Sequence, residues 1–226
     1  MKKKVLQILA IFVVGILGGL FANQFIWPYF IERPVYVTER KEIIIEENTA
    51  LKNAVEKVEK TVVGIKTTSK EKILNGSAMI LTSDGLIVTL AELVPQGSEF
   101  LFFVEGQPSP YQILKRDLTN NLALIKLEQN NLPTVGFADL NKIKTGERIF
   151  LIGTIYGVKE FTRGVNEGVV SYFDENLIST NILERNTMAG SPLFNIKGEF
   201  LGLATIDYWG IVGIIPVDII RTFAGF

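Results

Sequence analysis

The sequence has 226 residues, 47% of them apolar, and a formal net charge of -1, which suits one sizeable domain with an additional segment. It contains no cysteine, which excludes disulfides and thiolate metal sites, and no basic excess of the kind that nucleic-acid-binding surfaces carry. It also contains no histidine, the usual general base for a serine or cysteine nucleophile, so Ser-His and Cys-His mechanisms are excluded.

The first predicted element is a membrane anchor over residues 1–27. Three lysines precede the apolar run 5–22, which as a helix would measure about 27 Å, close to the ~30 Å hydrocarbon core of a bilayer. Trp27 and Tyr29 follow where an aromatic belt belongs, and the lysines predict a cytoplasmic N-terminus with the rest of the chain outside. The alternative is a cleaved signal peptide, although Leu20-Phe21-Ala22 is a poor small-x-small cleavage site.

Residues 28–48 are interpreted as a tether, in which a strand, a stalk and an oligomer contact remain open alternatives. A short lead-in helix is expected next, with Asn48 or Thr49 as its N-cap. Its apolar residues recur at helical spacing and share one face: Leu51, Ala54, Val55 and Val58.

From residue 61 onward, short apolar or β-branched runs alternate with turn signals such as Ser83-Asp84-Gly85. Many short strands at near-regular spacing favour a barrel or a sandwich. The predicted strands are 62–67, 78–81, 86–90, 100–104, 111–114, 122–127, 149–152, 167–172, 177–180, 201–206 and 211–215. The stretch from 132 to 145 lacks strand character and would join two halves, and a final short helix is expected over 217–223.

Seven segments, in order, resemble the HtrA/DegS-like bacterial branch of the trypsin-fold serine proteases. They are AVEKVEKTVVGIKT, NGSAMILTSDGLIVTLAELV, DLTNNLALIKL, GERIFLIGTIYG, VNEGVVS, GSPLFNIKGEFLGLATI and VGIIPV. The resemblance covers about residues 51 to 226. It implies an all-β, trypsin-like double β-barrel over residues 49–226, with six strands in each barrel (about 61–132 and 133–216) and the site between them. Members of that family often carry a C-terminal PDZ domain, which is not expected in this sequence.

The resemblance also places the family's catalytic triad on this sequence, and all three positions are substituted. The histidine falls on Glu92, the aspartate on Asn121 and the serine on Ala189. The glycine that gives the outer oxyanion-hole N–H becomes Thr187. Ser191, two positions beyond the nucleophile, is interpreted as a small residue in a glycine position rather than a displaced nucleophile.

The expected function is therefore that of a membrane-anchored pseudoprotease. It would bind protein or peptide outside the cytoplasm, with an active protease relative as one candidate partner. The alternatives are a purely structural or assembly module and a serine-type peptidase with a non-standard site. No cofactor and no nucleic-acid partner are expected. No metal site is expected either, because the aspartates are scattered without the spacing of a calcium loop.

The predicted binding surface follows the strand edge at Thr205, Ile206 and Asp207 and the short turn at Tyr208 and Trp209. Strand addition uses backbone groups, so it does not depend on the triad. The short turn makes Ile206 and Ile211 expected hairpin neighbours. Tyr208 and Trp209 have two interpretations: packing that caps the barrel or fills the vacated pocket, or an exposed aromatic anchor for a partner.

Overall fold

A computed structural model of the chain describes residues 2–26, 47–69, 72–156, 161–173 and 177–226. The chain divides into two compact units, Met1–Ile44 and Ile45–Phe226. Trp27, Tyr29 and almost all of the predicted tether 28–48 lie outside the described residues.

The N-terminal unit contains one long apolar helix. Helix α1 spans Lys2–Phe21 and continues into a π-helical turn, Ala22–Ile26. The stretch Lys3–Ile26 has a mean hydropathy of 2.5 over its most apolar window and is long enough to cross a bilayer. The expected apolar helix is present, and by length and composition it fits a membrane span or a signal sequence.

The lead-in helix α2 spans Glu47–Val58 and is followed by a 3₁₀ turn, Glu59–Thr61. The predicted cap is wrong, because Asn48 and Thr49 lie within the helix. Ala54 and Val58 are buried, as the helical spacing indicates. The ammonium of Lys57 donates to the carbonyl of Lys197, 2.8 Å away, so α2 packs on a turn of the second half of the domain.

The first half of the domain is a seven-stranded antiparallel sheet in the order β5-β4-β1-β2-β3-β7-β6. Its strands are β1 Val62–Thr68, β2 Ile73–Ile80, β3 Leu86–Leu90, β4 Glu99–Val104, β5 Gln107–Ser109, β6 Tyr111–Asp117 and β7 Leu122–Leu127. The prediction of a six-stranded closed barrel is wrong here, and β5 was missed. Only Pro110 separates the two edge strands, so the sheet curves into an incomplete barrel, and the ring of Tyr111 crosses the gap to Phe102, 4.7 Å away.

The second half is a closed barrel of six antiparallel strands, as expected, in the order β10-β13-β12-β11-β8-β9. The strands are β8 Arg148–Tyr156, β9 Phe161–Phe173, β10 Ile178–Leu183, β11 Pro192–Asn195, β12 Phe200–Ile206 and β13 Ile211–Pro216. Strand β9 begins earlier than the predicted 167–172, and β11 was not among the predicted strands. The hairpin register also differs by one residue, since Ile206 lies opposite Val212 rather than Ile211.

The closed barrel and the incomplete barrel each have a packed interior of their own. The two interiors meet where the halves of the domain join. Phe150, Phe194 and Phe200 from the second half join the core cluster of the first half. The predicted final helix is present as α3, Val217–Ala224. It buries Val217, Ile220 and Phe223 at helical spacing and ends at Gly225 in the left-handed conformation.

Candidate functional site

The predicted nucleophile position lies in a tight turn where the two halves of the domain meet. A 3₁₀ turn, Asn186–Met188, precedes Ala189, and β11 begins at Pro192. The carbonyl oxygen of Ala189 accepts a hydrogen bond from the N–H of Ser77 on β2, at 3.0 Å. Gly190 adopts the left-handed conformation (φ 73°), which glycine allows without steric penalty.

Glu92 and Asn121, the positions of the missing histidine and aspartate, lie next to each other on the first half. Glu92 sits in the 3₁₀ turn Ala91–Leu93 at the end of β3, and Asn121 immediately precedes β7. The N–H of Glu92 donates to Asn121 Oδ1 at 3.0 Å, and the N–H of Ala91 donates to the carbonyl of Asn121, also at 3.0 Å. The amide oxygen of Asn121 therefore orders the backbone of this turn.

Glu92 and Ala189 line the same cleft, which has a volume of about 320 Å³. Its other lining residues are Lys72, Leu74, Asn75, Leu93, Asn186 and Ile206. The structure thus brings together residues from β2, from the Glu92 turn, from the Ala189 turn and from the end of β12. The resemblance gave Glu92, Ala189 and Ile206. It did not single out Asn75, the first residue of a matched segment, or Lys72, which lies three residues before that segment.

The backbone N–H groups around Ala189 are bonded to carbonyl groups of the protein. The N–H of Ala189 donates to Asn186 O at 3.1 Å, and the N–H of Met188 donates to Arg185 O at 2.8 Å. The N–H of Gly190 donates to Ala204 O at 2.9 Å. An oxyanion hole uses the N–H of the nucleophilic residue itself. At Ala189 that N–H is engaged within the turn.

Ser191 is fully buried between the two halves. Its Oγ lies 3.4 Å from Ser77 Oγ, which in turn accepts a 2.8 Å hydrogen bond from the N–H of Thr154 on β8. The hydroxyl of Thr89 donates to the carbonyl of Ser77 at 2.7 Å. Ser191 has no exposed surface. This burial agrees with a small structural residue rather than an accessible nucleophile.

The end of β12 presents an edge toward the cleft. The N–H of Ala204 donates to Ser191 O at 2.8 Å, and its carbonyl accepts from Gly190, so the backbone of Ala204 faces away from β13. Backbone groups alternate along a strand, so those of Ile206 face the same side as those of Ala204. Among the described residues no strand pairs with Ile206 on that side.

Tyr208 and Trp209 form the exposed tip of the β12–β13 hairpin. Their exposed fractions are 93% and 78%, which excludes the interpretation that they cap the barrel or fill the vacated pocket. The carboxylate of Asp207 holds the turn by accepting from the N–H of Trp209 (2.9 Å) and of Ile211 (2.8 Å). Gly210 completes the turn at φ 84°.

A second cavity, of about 500 Å³, lies on the other side of Glu92. Arg116, Leu118 and Asn121 line it together with Glu92. Within the described residues, no group of three or more acidic side chains is arranged to hold a metal ion. Sequence reasoning had not singled out Arg116, which directly precedes the matched segment that begins at Asp117.

Three comparisons relate this chain to known proteins. The sequence model of the family described as "Trypsin-like peptidase domain" matches residues 76–203. A probable periplasmic serine endoprotease, DegP-like, of Halomonas elongata is 28% identical over 166 residues, which cover 67% of this chain and 34% of that protein. A DegP-like protein of Pseudomonas putida is 30% identical over 159 residues, covering 64% of this chain and 33% of that protein.

The chain thus spans about a third of the length of these curated relatives. Among solved structures, the HtrA-type protease AlgW with a tripeptide superposes with a TM-score of 0.69. That match has 23% identity and covers 77% of this chain and 62% of the other. It supports the trypsin-like fold independently of the sequence motifs.

Proposed function

The chain belongs to the family of trypsin-like peptidase domains, and on that premise we propose that it is a catalytically inactive, membrane-anchored member that binds protein or peptide. The observation that carries the proposal is the contrast within one cleft. The groups that would perform hydrolysis are replaced, whereas no described strand pairs with the edge that would hold a peptide.

Hydrolysis lacks each of its usual parts. Ala189 has no hydroxyl, Asn121 engages its amide oxygen with the N–H of Glu92, and the sequence has no histidine. In serine proteases, removing the nucleophile or the base costs about 10⁶ in kcat, or roughly 8 kcal/mol of transition-state stabilisation. Since the N–H of Ala189 is also bonded within its turn, the oxyanion contribution is reduced as well.

A non-standard peptidase is the weaker alternative. Glu92 would have to act as the base and Thr187 as the nucleophile. Glu92 is exposed, and a carboxylate is a poor base for a hydroxyl unless it is strongly desolvated. Thr187 itself lies inside the 3₁₀ turn that ends before Ala189.

Peptide binding would occur by strand addition at the end of β12. The N–H and carbonyl of Ile206 face the cleft without a described strand opposite them, so an extended peptide would form two backbone hydrogen bonds there. Such bonds do not depend on the residues at the triad positions. We propose that the ligand contacts Thr205, Ile206 and Asp207, and that Tyr208 and Trp209 add an aromatic anchor at the tip.

The N-terminal helix is proposed as an uncleaved anchor. The stretch Lys3–Ile26 is apolar and long enough to cross the ~30 Å hydrocarbon core of a bilayer. The lysines before the apolar run would keep the N-terminus in the cytoplasm and place the domain outside. The curated relatives are named periplasmic, which agrees with that side of the membrane.

The binding proposal can be tested with fluorescein-labelled β-casein as an unfolded probe and the full chain in detergent micelles. We expect saturable binding by anisotropy and intact casein on a gel. Ile206→Pro should abolish binding without unfolding, since the N–H it removes faces the cleft rather than the β13 ladder. Thr205→Pro is the matched control, because its N–H faces β13 and its loss should destabilise the barrel.

Cleaved casein would overturn the inactive assignment. Undiminished binding by folded Ile206→Pro would overturn strand addition and leave a structural module as the better hypothesis. Trp209→Ala should weaken binding, whereas Tyr172→Ala, at an exposed tyrosine of β9, should not. Equal affinity in the two variants would remove the aromatic anchor from the proposal.

The topology can be tested by membrane fractionation followed by protease added to spheroplasts. We expect the domain to stay with the membrane fraction and to be digested from outside. A protected domain would reverse the orientation, and a soluble domain would favour signal cleavage.

A further inference from the structure

We infer that Arg116 selects an acidic side chain in the bound peptide. This inference rests on the proposed peptide-binding function and adds the charge preference of its ligand. It depends on the cavity of about 500 Å³ beside the cleft, on the unpaired guanidinium within it, and on the neighbouring charges.

The cavity lies next to the proposed peptide path. Glu92 lines both the cleft that contains Ala189 and the cavity that contains Arg116, so the two depressions adjoin at that residue. A peptide strand paired with Ile206 would pass Glu92, and a side chain of that strand would reach into the cavity. Leu118, 82% exposed, and Pro95 give the cavity an apolar wall that suits the methylene groups of a glutamate.

Arg116 is fixed in this cavity but lacks an acidic partner. It is half-buried, and its Nε donates to the carbonyl of Val94 at 2.8 Å, which orients the guanidinium plane. None of the ion pairs formed among the described residues includes Arg116. Its terminal nitrogens are therefore available for the paired hydrogen bonds that a guanidinium makes with a carboxylate.

The nearest acidic residue in sequence is already engaged elsewhere. Asp117 accepts hydrogen bonds from the N–H groups of Thr119 (2.9 Å) and Asn120 (3.1 Å) and from the side chain of Asn120 (2.7 Å). This turn holds its carboxylate in the β6–β7 connection. A half-buried arginine without a counter-ion is unfavourable, and a ligand carboxylate would relieve that penalty.

Glu92 gives the cavity a second, opposite charge. Glu92 and Arg116 form no ion pair, so the carboxylate oxygens of Glu92 lie more than 4 Å from the guanidinium nitrogens of Arg116. A ligand carboxylate is thus attracted at the Arg116 end and repelled near Glu92. This polarity restricts the acidic side chain to one position of the peptide rather than favouring negative charge generally.

The test uses an array of decapeptides with blocked ends, in which each position in turn carries glutamate or glutamine, probed with the full chain in detergent micelles. Blocked ends remove the terminal carboxylate as a source of binding. At one position we expect glutamate to be preferred by about tenfold, the size of one charge-assisted hydrogen-bonded pair. The preference should shrink in about 0.5 M salt, since the site is open to solvent.

Three variants distinguish the role of Arg116 from general charge. Arg116→Gln should reduce the preference to about onefold, and Glu92→Gln should increase it. Lys115→Gln is the matched control, because it removes one positive charge from the same strand while Lys115 points to the other face, toward the Phe223 carbonyl 3.4 Å away. It should keep the wild-type preference.

The outcomes separate the inference from the function on which it rests. Peptides that bind without any glutamate preference, or a preference that persists in folded Arg116→Gln, would overturn the role of Arg116 alone. A wild-type chain that binds no peptide of the array would overturn both proposals.

Discussion

The turn that contains Ala189 has two sides with opposite properties. On the side that faces the protein interior, Gly190 and Ser191 pack against Ser77 and Thr89. The hydrogen bond from the N–H of Ser77 to the carbonyl of Ala189 and the contact between the hydroxyls of Ser191 and Ser77 join the two halves of the domain there. On the side that faces the cleft, the side chain of Ala189 meets an exposed Glu92 across open space. The interior side of the turn thus contributes to packing between the halves, and the cleft side carries the position that we propose has lost its nucleophile.

This difference shows that the requirements of folding and the requirements of catalysis are separable within one turn. Gly190 is required by geometry, because its conformation and its neighbours leave no room for a side chain. Ala189 is required only to be small, since its carbonyl rather than its side chain bonds to Ser77. Loss of hydrolysis at this position therefore need not weaken the domain.

The largest effect is expected from Gly190→Ala. An added Cβ would overlap the Ser77 carbonyl and lie 2.9 Å from Thr89 Oγ1, at a positive φ. Strain and overlap together should lower the free energy of unfolding by about 3 kcal/mol or more. Urea unfolding of the full chain in detergent micelles, followed by near-ultraviolet circular dichroism, measures it.

Gly97→Ala is the control for that variant. Gly97 also has a positive φ (78°), but an added Cβ would meet no heavy atom within 4 Å. Its cost should be about 1 kcal/mol, from conformation alone. Equal losses in the two variants would mean that packing at the interior side of the turn contributes little.

Ser77→Ala should have the next largest effect. Removing its Oγ leaves the buried N–H of Thr154 without its acceptor, at a cost of about 1–3 kcal/mol. Ser191→Ala removes only the longer 3.4 Å contact and should cost less than about 1 kcal/mol. If Ser191→Ala proved the more damaging variant in the same unfolding assay, the assigned hydrogen-bond network between the halves would be wrong.

A smaller effect is expected at an exposed pair far from the turn. Hydrogen bonds from Lys126 and Thr82 hold the pKa of the Asp84 carboxyl below its ordinary value of 3.8. A carboxyl with a lowered pKa in the folded state adds stability above its unfolded pKa, and that stability disappears as pH falls through the folded pKa. Asp84→Asn should thus be less stable than wild type at pH 7.

The difference in stability should shrink between pH 7 and an acidic pH well below 3.8, because the Asp84 carboxyl of wild type becomes protonated as pH falls through its lowered pKa. Melting temperatures at both pH values test this. A difference that persists unchanged in acid would show that Asp84 acts through the geometry of its turn rather than through its charge.

The sequence predicted the regular parts of this fold because local patterns determine them. The apolar runs of β1 and β7 and the spacing of Val217, Ile220 and Phe223 are visible without a structure. Strands β5 and β11 are three and four residues long and each contains a proline, and they exist because neighbouring strands pair with them. The gap at Pro110 likewise depends on three-dimensional closure of the sheet.

The site was predictable only as far as the resemblance reached. It placed Glu92, which lies beside Asn121 in the structure and lines the same cleft as Ala189. The bond from the Ala189 N–H to Asn186 and the unpaired guanidinium of Arg116 depend on conformation and on the positions of distant charges. No sequence pattern reports either of them.

The smallest effect is expected from Ala189→Ser, the change that restores only the nucleophile on the cleft side of the turn. No base is available to take the proton of the new hydroxyl, because the sequence has no histidine and Glu92 is an exposed carboxylate. The N–H at position 189 remains bonded to Asn186 O, so an oxyanion would find that donor engaged. We expect a folded variant that neither cleaves casein nor reacts with serine-directed phosphonates, as in wild type. Stoichiometric labelling of Ala189→Ser would show that the turn opens and that this position still activates a hydroxyl. In that case, the separation between the two sides of the turn would be incomplete.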